Sequence, residues 1–312
     1  MKMQTKAIVF PGQGSQRPGM GKDFFDQCQE SARVYEEASD ALGWSTADMC
    51  FGEEDRLNLT EFAQPCIVTT EIAMLRALES EFGLTAEFWG GHSLGEYTAL
   101  TAAGVLPLAS AVKIVQARGR LMQDACPVGM GAMAAVIGKG LDVQLLSETL
   151  NSLPVDLANI NSPDQVVISG RADSMEQARQ GIEAAFNGAA PRFVPLNVSA
   201  PFHSRFMKSI EPSFRQVLEQ ETGNFKPEGA VGVACNYTGV FHTPNSPAIV
   251  DALVSQLSNP VRWTNNMDLL AQAADEIVEL GPNRPLRAFF KAMGAACQSI
   301  TGMTAAKKVF GG

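Results

Sequence analysis

The sequence predicts an α/β fold in which a large domain with a mainly parallel sheet carries a small inserted ferredoxin-like domain. Three observations predict it. Short apolar runs alternate with helical patterns near the N-terminus, and a serine between two glycines joins one such run to the next helix. The middle of the chain has the order strand, helix, strand, strand, helix, strand. A chain of 312 residues can bury the core that this fold needs.

The N-terminal part alternates strands and helices. Residues 6–10 are apolar and short enough for a buried strand, which ends at Pro11. A helix is expected to open at Gln64-Pro65, because proline suits a first turn and apolar residues then recur at helical spacing up to Gly83. A second strand is expected over residues 86–89. Helices should follow over residues 93–103 and from 107 to about 124, so that helices cover both faces of the sheet.

The middle of the chain forms a complete small unit. Its strands are expected over residues 131–137, 155–160, 165–169 and 192–196, and its helices over residues 141–150 and 172–186. This order is that of a ferredoxin-like domain. We therefore predict a large domain made of residues 1–126 and 198–312, interrupted by a small domain of residues 127–197.

Composition excludes several classes of function. The net charge of −9 argues against a nucleic acid partner, which would require a basic face. Three histidines without metal-ligand spacing and six cysteines without a C-x-x-C pair predict neither a metal site nor a disulfide framework. No apolar run has the length of a membrane span, and no signal peptide is recognised, so we expect a cytoplasmic protein with no membrane partner.

The stretch GGHSLGE places Ser93 between Gly91 and Gly95 in a G-x-S-x-G pattern. In an α/β-hydrolase-like domain, small residues allow a sharp turn between strand and helix that exposes the serine. The helix N-terminus and the N–H of Leu94 would then favour negative charge beside the hydroxyl. The alternative is a glycine-flanked serine that only caps a helix. The strand before it and the helix after it favour the nucleophile.

A serine nucleophile requires a base, and elimination leaves one histidine. His92 is adjacent to the serine, and neighbouring side chains at such a turn point in different directions. His242 lies in a polar loop and is expected to be exposed to solvent. His203 follows the small domain, where the chain can return to the edge of the large sheet. We therefore predict that His203 is the base.

Arg118 raises the question of an anionic ligand. Its neighbours at helical spacing are apolar, among them Ile114 and Met122, whereas Arg120 should face water. A buried guanidinium without a partner is costly. Arg118 therefore either pairs with an internal carboxylate or binds a carboxylate of the substrate.

Together these residues resemble the malonyl-CoA:acyl carrier protein transacylase family of fatty acid and polyketide synthesis. The matching stretches, in the order of the family, are FPGQGSQ (residues 10–16), GHSLGEY (91–97), RG (118–119), GAMAAV (131–136), NSPDQVVISG (161–170), APFHS (200–204), QLSNPVRW (256–263) and ELGP (279–282). They span nearly the whole chain. The first is not a phosphate-binding loop, because it lacks the third glycine of G-x-G-x-x-G and has no Gly-Lys-Ser.

The resemblance implies a role for each matching residue. Ser93 would be the nucleophile and His203 the general base and acid, oriented by a backbone carbonyl near Gln256. Backbone N–H groups of Gln13 and Leu94 would form the oxyanion hole. The residues implied to bind or surround the substrate are Arg118, which would hold the malonyl carboxylate, and His92, Met122, Asn161 and Phe202.

The implied reaction is a ping-pong transfer. Ser93 would take the malonyl group from malonyl-CoA and pass it to the phosphopantetheine thiol of acyl carrier protein, with no permanently bound cofactor and no metal. The partners would be malonyl-CoA and acyl carrier protein, and the chain is expected to be a monomer. Phe202 resembles the malonyl-selective pattern of polyketide acyltransferases, whereas many fatty-acid enzymes have a smaller residue there, so the pathway stays open.

Two other functions compete with transfer. An editing acyl hydrolase of the same fold would let water resolve the ester, and we expect such a variant to lack the arginine at position 118. A docking subunit without catalysis would have no use for Gln13, Ser93, Arg118 and His203 together. The residues favour transfer. Arg284, Arg287 and Lys291 are candidates for meeting an acidic carrier protein.

Overall fold

The computed structural model describes residues 4–127, 129–186, 190–198 and 200–311. The strands in these ranges are β1 (Lys6–Phe10), β2 (Phe88–Gly91), β3 (Gly131–Ile137), β4 (Val155–Ser162), β5 (Gln165–Arg171), β6 (Arg192–Pro195), β7 (Glu276–Leu280) and β8 (Gln298–Ile300). The α-helices are α1 (Lys22–Gln27), α2 (Gln29–Leu42), α3 (Thr46–Phe51), α4 (Thr60–Phe82), α5 (Gly95–Ala102), α6 (Leu108–Asp124), α7 (Val143–Leu150), α8 (Met175–Ala185), α9 (Glu211–Glu221), α10 (Ser246–Gln256), α11 (Trp263–Ala273), α12 (Leu286–Ala292) and α13 (Met303–Phe310).

The large sheet is parallel, as the sequence predicts. Its strand order is β2-β1-β7-β8, and every pair in it is parallel. Because successive side chains of a strand point to opposite faces, β1 serves two cores. Ile8 and Phe10 pack with residues of α2, α4, α5 and α6, whereas Ala7 and Val9 pack with residues of α11 and α12. The sheet is therefore covered by helices on both faces.

The small sheet is antiparallel, with the strand order β4-β5-β3-β6. With α7 and α8 it gives the ferredoxin-like order that the sequence predicts. It has its own core, in which Val136 and Ile168 of the strands meet Leu146 and Ile182 of the helices. The exact domain boundaries at 127 and 197 stay a prediction.

Several element boundaries differ by one to four residues from the sequence prediction, among them those of α4 and β2. Helix α4 begins at Thr60, four residues before the predicted start at Gln64, so Pro65 lies inside the helix. The first turn of α4 packs tightly on α6, where a Cβ on Gly119 would lie 2.5 Å from the carbonyl oxygen of Thr60. This packing outweighs the local signal of the proline. Strand β2 lies two residues later than predicted, because its pairing with β1 continues to Gly91. In the described part of the chain, no helix combines the length and the apolar character needed to cross a membrane.

Candidate active site

The turn between β2 and α5 holds Ser93 in a strained conformation. Its φ of 54° lies in the left-handed region, which costs a non-glycine residue roughly 1–3 kcal/mol. The flanking glycines are required by close approach of the backbone. A Cβ on Gly91 would lie 1.9 Å from backbone atoms of Gly95, and a Cβ on Gly95 would lie 2.3 Å from the carbonyl oxygen of Phe10. The G-x-S-x-G pattern therefore follows from the geometry of this turn.

His203 lies directly against the serine. Its Nε2 is 2.7 Å from Ser93 Oγ, and its Nδ1 is 2.8 Å from the backbone carbonyl oxygen of Gln256. Because a carbonyl only accepts, Nδ1 carries the proton and Nε2 is free to accept from the hydroxyl. Burial, followed by the nearby charge of Arg118, lowers the pKa of His203 to about 3. The imidazole is therefore neutral at neutral pH, as a general base must be.

Ser93 is not a capping residue for α5. Its hydroxyl oxygen contacts His203 and, at 3.2 Å, Nη2 of Arg118. The N-cap position of α5 is Leu94, and no side chain caps the helix there. The geometry therefore favours the nucleophile over the helix-capping alternative.

We expect the reactivity of the serine to be independent of pH where an ordinary histidine titrates. The folded-state pKa of His203 lies below the ordinary value of about 6.5, so the neutral base persists as the pH falls through that value. The second-order rate constant for acylation of Ser93, measured by rapid quench after a pH jump, should stay constant between about pH 8 and pH 5. An inflection near pH 6.5 in this rate constant would contradict the assignment.

The free energy of unfolding should depend on pH in the same range. As the pH falls from about 6.5 towards 3, His203 takes up a proton in the unfolded state but not in the folded state, and stability is lost.

Arg118 is buried beside the serine without an acidic partner. Its side chain is 1% exposed, and Nη2 donates to Ser93 Oγ and, at 2.9 Å, to Oε1 of Gln256. The guanidinium carbon lies 5.3 Å from the centre of the Tyr97 ring, and Nε has no hydrogen-bond partner among the described residues. None of the ion pairs in the described residues includes Arg118. No described carboxylate therefore pairs directly with Arg118, and the internal acid Glu96 is joined to it only through Gln256.

Burial also lowers the pKa of Arg118, although a guanidinium stays protonated at neutral pH. An unpaired cation in a desolvated site attracts an anion strongly. Arg120, two residues further along α6, is exposed, as its helical position predicts.

A cavity of about 650 Å³ opens in front of these groups. The predicted site residues that line it are Gln13, His92, Ser93, Arg118, Met122, Asn161, Phe202 and His203. Leu94 is fully buried at the start of α5, and Gln256 lies behind the cavity wall at the end of α10.

A hydrogen bond between His92 and Asn161 joins the large domain to β4 of the small sheet. Nε2 of His92 is 2.8 Å from Oδ1 of Asn161. Burial lowers the pKa of His92, so this imidazole is neutral and Nε2 donates to the amide oxygen.

Hydrogen bonds limit which N–H groups near Ser93 are free to bind an oxyanion. The backbone N–H of Ser93 donates to Oδ1 of Asn236 at 2.6 Å and is therefore already used. The side chain of Gln13 is held at both ends, since Nε2 donates to Thr60 Oγ1 at 3.2 Å and Oε1 accepts from Gln64 Nε2 at 3.3 Å. These bonds fix the loop that carries the backbone N–H of Gln13 beside the cavity.

Sequence reasoning missed three buried polar residues behind the site. Glu96, Asn236 and His242 are 0%, 0% and 5% exposed. The prediction that His242 is solvated was wrong, because its Nε2 lies 2.7 Å from Oε1 of Glu96. The only sequence signal was the position of Glu96, three residues after Ser93 on an otherwise uncharged helix.

The chain is similar to known acyltransferases over most of its length. The family model for acyl transferase domains matches residues 7–283. The malonyl CoA-acyl carrier protein transacylase of Bacillus subtilis is 38% identical over 305 residues, which are 96% of this chain and 93% of that protein. The chain belongs to the malonyl-CoA:acyl carrier protein transacylase family.

Solved structures of transacylases have the same fold. An acyl carrier protein S-malonyltransferase from Vibrio cholerae aligns with a TM-score of 0.88 and 34% identity, covering 98% of this chain and 99% of that one. A malonyl-transacylase in complex with its type II PKS acyl-carrier protein aligns with a TM-score of 0.89 and 34% identity, over 98% and 99% of the two chains. The family and the α/β-hydrolase-like fold inferred from the sequence motifs are thereby confirmed.

Proposed function

We propose that this chain transfers the malonyl group of malonyl-CoA to the phosphopantetheine thiol of acyl carrier protein through an ester on Ser93. The observation that carries the proposal is the buried, acid-free cation of Arg118, 3.2 Å from the serine oxygen. A malonyl group has one reactive carbonyl and one carboxylate a short distance apart. The hydroxyl and the guanidinium are placed to hold these two ends together.

In the first half-reaction His203 Nε2 takes the proton of Ser93 while Oγ attacks the thioester carbon. The oxyanion that forms would be stabilised by the backbone N–H groups of Gln13 and Leu94. The carbon–sulfur bond then breaks, and the leaving CoA sulfur receives the proton from His203. Coenzyme A leaves as a thiol, and the malonyl group stays bound as an ester of Ser93.

The second half-reaction runs the same steps in reverse with a different thiol. The phosphopantetheine sulfur of the carrier protein gives its proton to His203 and attacks the ester carbon. When the carbon–oxygen bond breaks, Ser93 recovers the proton from His203. Arg118 would hold the malonyl carboxylate through both half-reactions, so the acyl group keeps one position while its acceptor changes.

Other residues would shape the pocket and its mouth. His92, Met122 and Asn161 line the cavity, and the ring of Phe202 stands immediately before His203 in the chain. We infer that Phe202 crowds the carbon that would carry a methyl branch, which favours malonyl over methylmalonyl. For the carrier protein, we propose that exposed Arg284 and Arg287 meet it, since Pro285 between them lines the cavity.

The experiment that tests the proposal is the mass of the intact protein. Incubation with malonyl-CoA should add one malonyl group to the wild type and none to the Ser93→Ala variant. Subsequent addition of an acyl carrier protein with its phosphopantetheine arm should move that group to the carrier. Release of free malonate in place of this transfer would support the editing hydrolase, and the absence of both adduct and hydrolysis would support a docking subunit.

A further inference from the structure

Gln256 connects the proposed base to the proposed carboxylate-binding residue. Its backbone oxygen accepts from Nδ1 of His203 at 2.8 Å, and its side-chain Oε1 accepts from Arg118 Nη2 at 2.9 Å. Its Nε2 donates to the backbone oxygen of Ser93 at 3.0 Å and to Oε2 of Glu96 at 2.6 Å. One fully buried residue therefore sets the positions of two side chains that the reaction needs.

The direction of the Gln256 amide depends on Glu96. A carboxylate only accepts hydrogen bonds, so it requires the NH₂ end of the amide and leaves the oxygen end for Arg118. If the amide were reversed, its NH₂ group would face the guanidinium, and two donors would oppose each other. The carboxylate of Glu96, together with the backbone carbonyl of Ser93, thus determines that Gln256 presents an acceptor to Arg118.

His242 is a hydrogen-bond partner of the Glu96 carboxylate. Glu96 and His242 are both buried, and the contact of 2.7 Å joins Oε1 of the first to Nε2 of the second. Burial alone would favour the neutral imidazole, but the neighbouring Cys235 and Glu96 outweigh it and raise the pKa of His242 to about 10. A buried carboxylate is stable only with such a partner.

The same cluster does not have the geometry of a metal site. Ligand atoms of Glu96, Cys235 and His242 lie within 4.8 Å of one another. Two ligands of one tetrahedral zinc, each about 2.0–2.1 Å from the ion, are roughly 3.3 Å apart. The contact of 2.7 Å between the imidazole and the carboxylate is instead that of a charge-assisted hydrogen bond.

We propose that the buried Glu96–His242 pair is a positioning device, which fixes the orientation of Gln256 and through it both His203 and Arg118. Glu96 and His242 do not touch the substrate. Their effect passes through Gln256 to the rate of acylation and to the selection of a substrate with a carboxylate. The inference rests on the proposed function, because it concerns how the same site is held.

The test compares Glu96→Gln, His242→Leu and His242→Gln with the wild type. We expect Glu96→Gln and His242→Leu to lower kcat/KM for malonyl transfer about 10- to 100-fold through misplacement of His203. They should also lower the ratio of malonyl to acetyl transfer by about fivefold or more, since Arg118 loses a fixed hydrogen bond. His242→Gln, whose amide can still donate to Glu96, should recover most of that ratio.

The matched control is Glu71→Gln. Glu71 is another fully buried acid, which accepts from Thr98 Oγ1 at 2.6 Å and whose pKa is raised well above the ordinary value by burial. It makes no hydrogen bond to Gln256 in the described residues, so its variant should keep the wild-type ratio of malonyl to acetyl transfer.

The inference is overturned if Glu96→Gln and His242→Leu keep the wild-type ratio, even if they lose stability or yield. If Glu96→Gln does not fold, the ratio of malonyl to acetyl transfer is compared between His242→Leu and His242→Gln. Equal ratios in these two variants would overturn the inference. Failure of the proposed function is a separate result, because it would appear in the wild type as the absence of a malonyl adduct.

Discussion

Replacing His203 by asparagine should lower the rate of malonyl-ester formation by about 10⁴-fold. The asparagine amide can still donate to the backbone oxygen of Gln256, as Nδ1 of His203 does at 2.8 Å. It places no basic atom where Nε2 meets the Ser93 hydroxyl at 2.7 Å. The variant therefore removes the base with little change to the surrounding hydrogen bonds. Quenched-flow measurement of the adduct mass gives the rate.

A second variant, at Ser93, defines the scale of this effect. Ser93→Ala should form no ester at all, because the attacking oxygen is gone. His203→Asn should keep a slow residual rate of ester formation, because substrate binding and the oxyanion hole still lower the barrier. A rate for His203→Asn within tenfold of the wild type would show that another group takes the proton.

Replacing Arg118 by methionine should lower kcat/KM for malonyl-CoA by about 10²- to 10³-fold, which is the cost of leaving a buried carboxylate without its partner. Methionine has a similar length and fills the space without a charge. Acetyl-CoA has no carboxylate to lose, so its kcat/KM should fall far less or rise. The measurement is the kcat/KM of the variant with each of the two thioesters.

A matched control lies on the same helix. Arg120→Met changes an exposed arginine two residues away, and it should leave both values of kcat/KM unchanged. Equal losses for malonyl-CoA and acetyl-CoA in Arg118→Met would contradict selection by the guanidinium. Two effects on the stability of Arg118→Met oppose each other, because Oε1 of Gln256 loses its partner in a buried site while the desolvation cost of the buried guanidinium disappears. Activities are therefore compared at equal amounts of folded enzyme.

The parts of the site that sequence reasoning found depend on local rules. Gly91 is required by a backbone contact with Gly95 in the same turn, so this part of the turn is visible in the pattern itself. The burial of Arg118 follows from the apolar residues one turn before and after it on α6. In both cases the neighbours in the sequence are also the neighbours in space.

The parts that were missed depend on distant contacts. His242 is followed by the loop residues Thr243, Pro244 and Asn245 in the sequence, and its partner Glu96 lies 146 positions away. The side chain of Gln256 meets Arg118 across 138 positions, and only its backbone role was expected from the family. The early start of α4 has the same cause, because packing against α6 outweighs the local preference of Pro65. No local pattern carries such information.

The most direct test of the account is a crystal structure of the malonyl ester of Ser93. We predict that the two oxygens of the malonyl carboxylate lie about 2.7–2.9 Å from two nitrogens of Arg118, with the ester carbonyl facing the backbone N–H groups of Gln13 and Leu94. A carboxylate that points into solvent, out of reach of Arg118, would contradict the account.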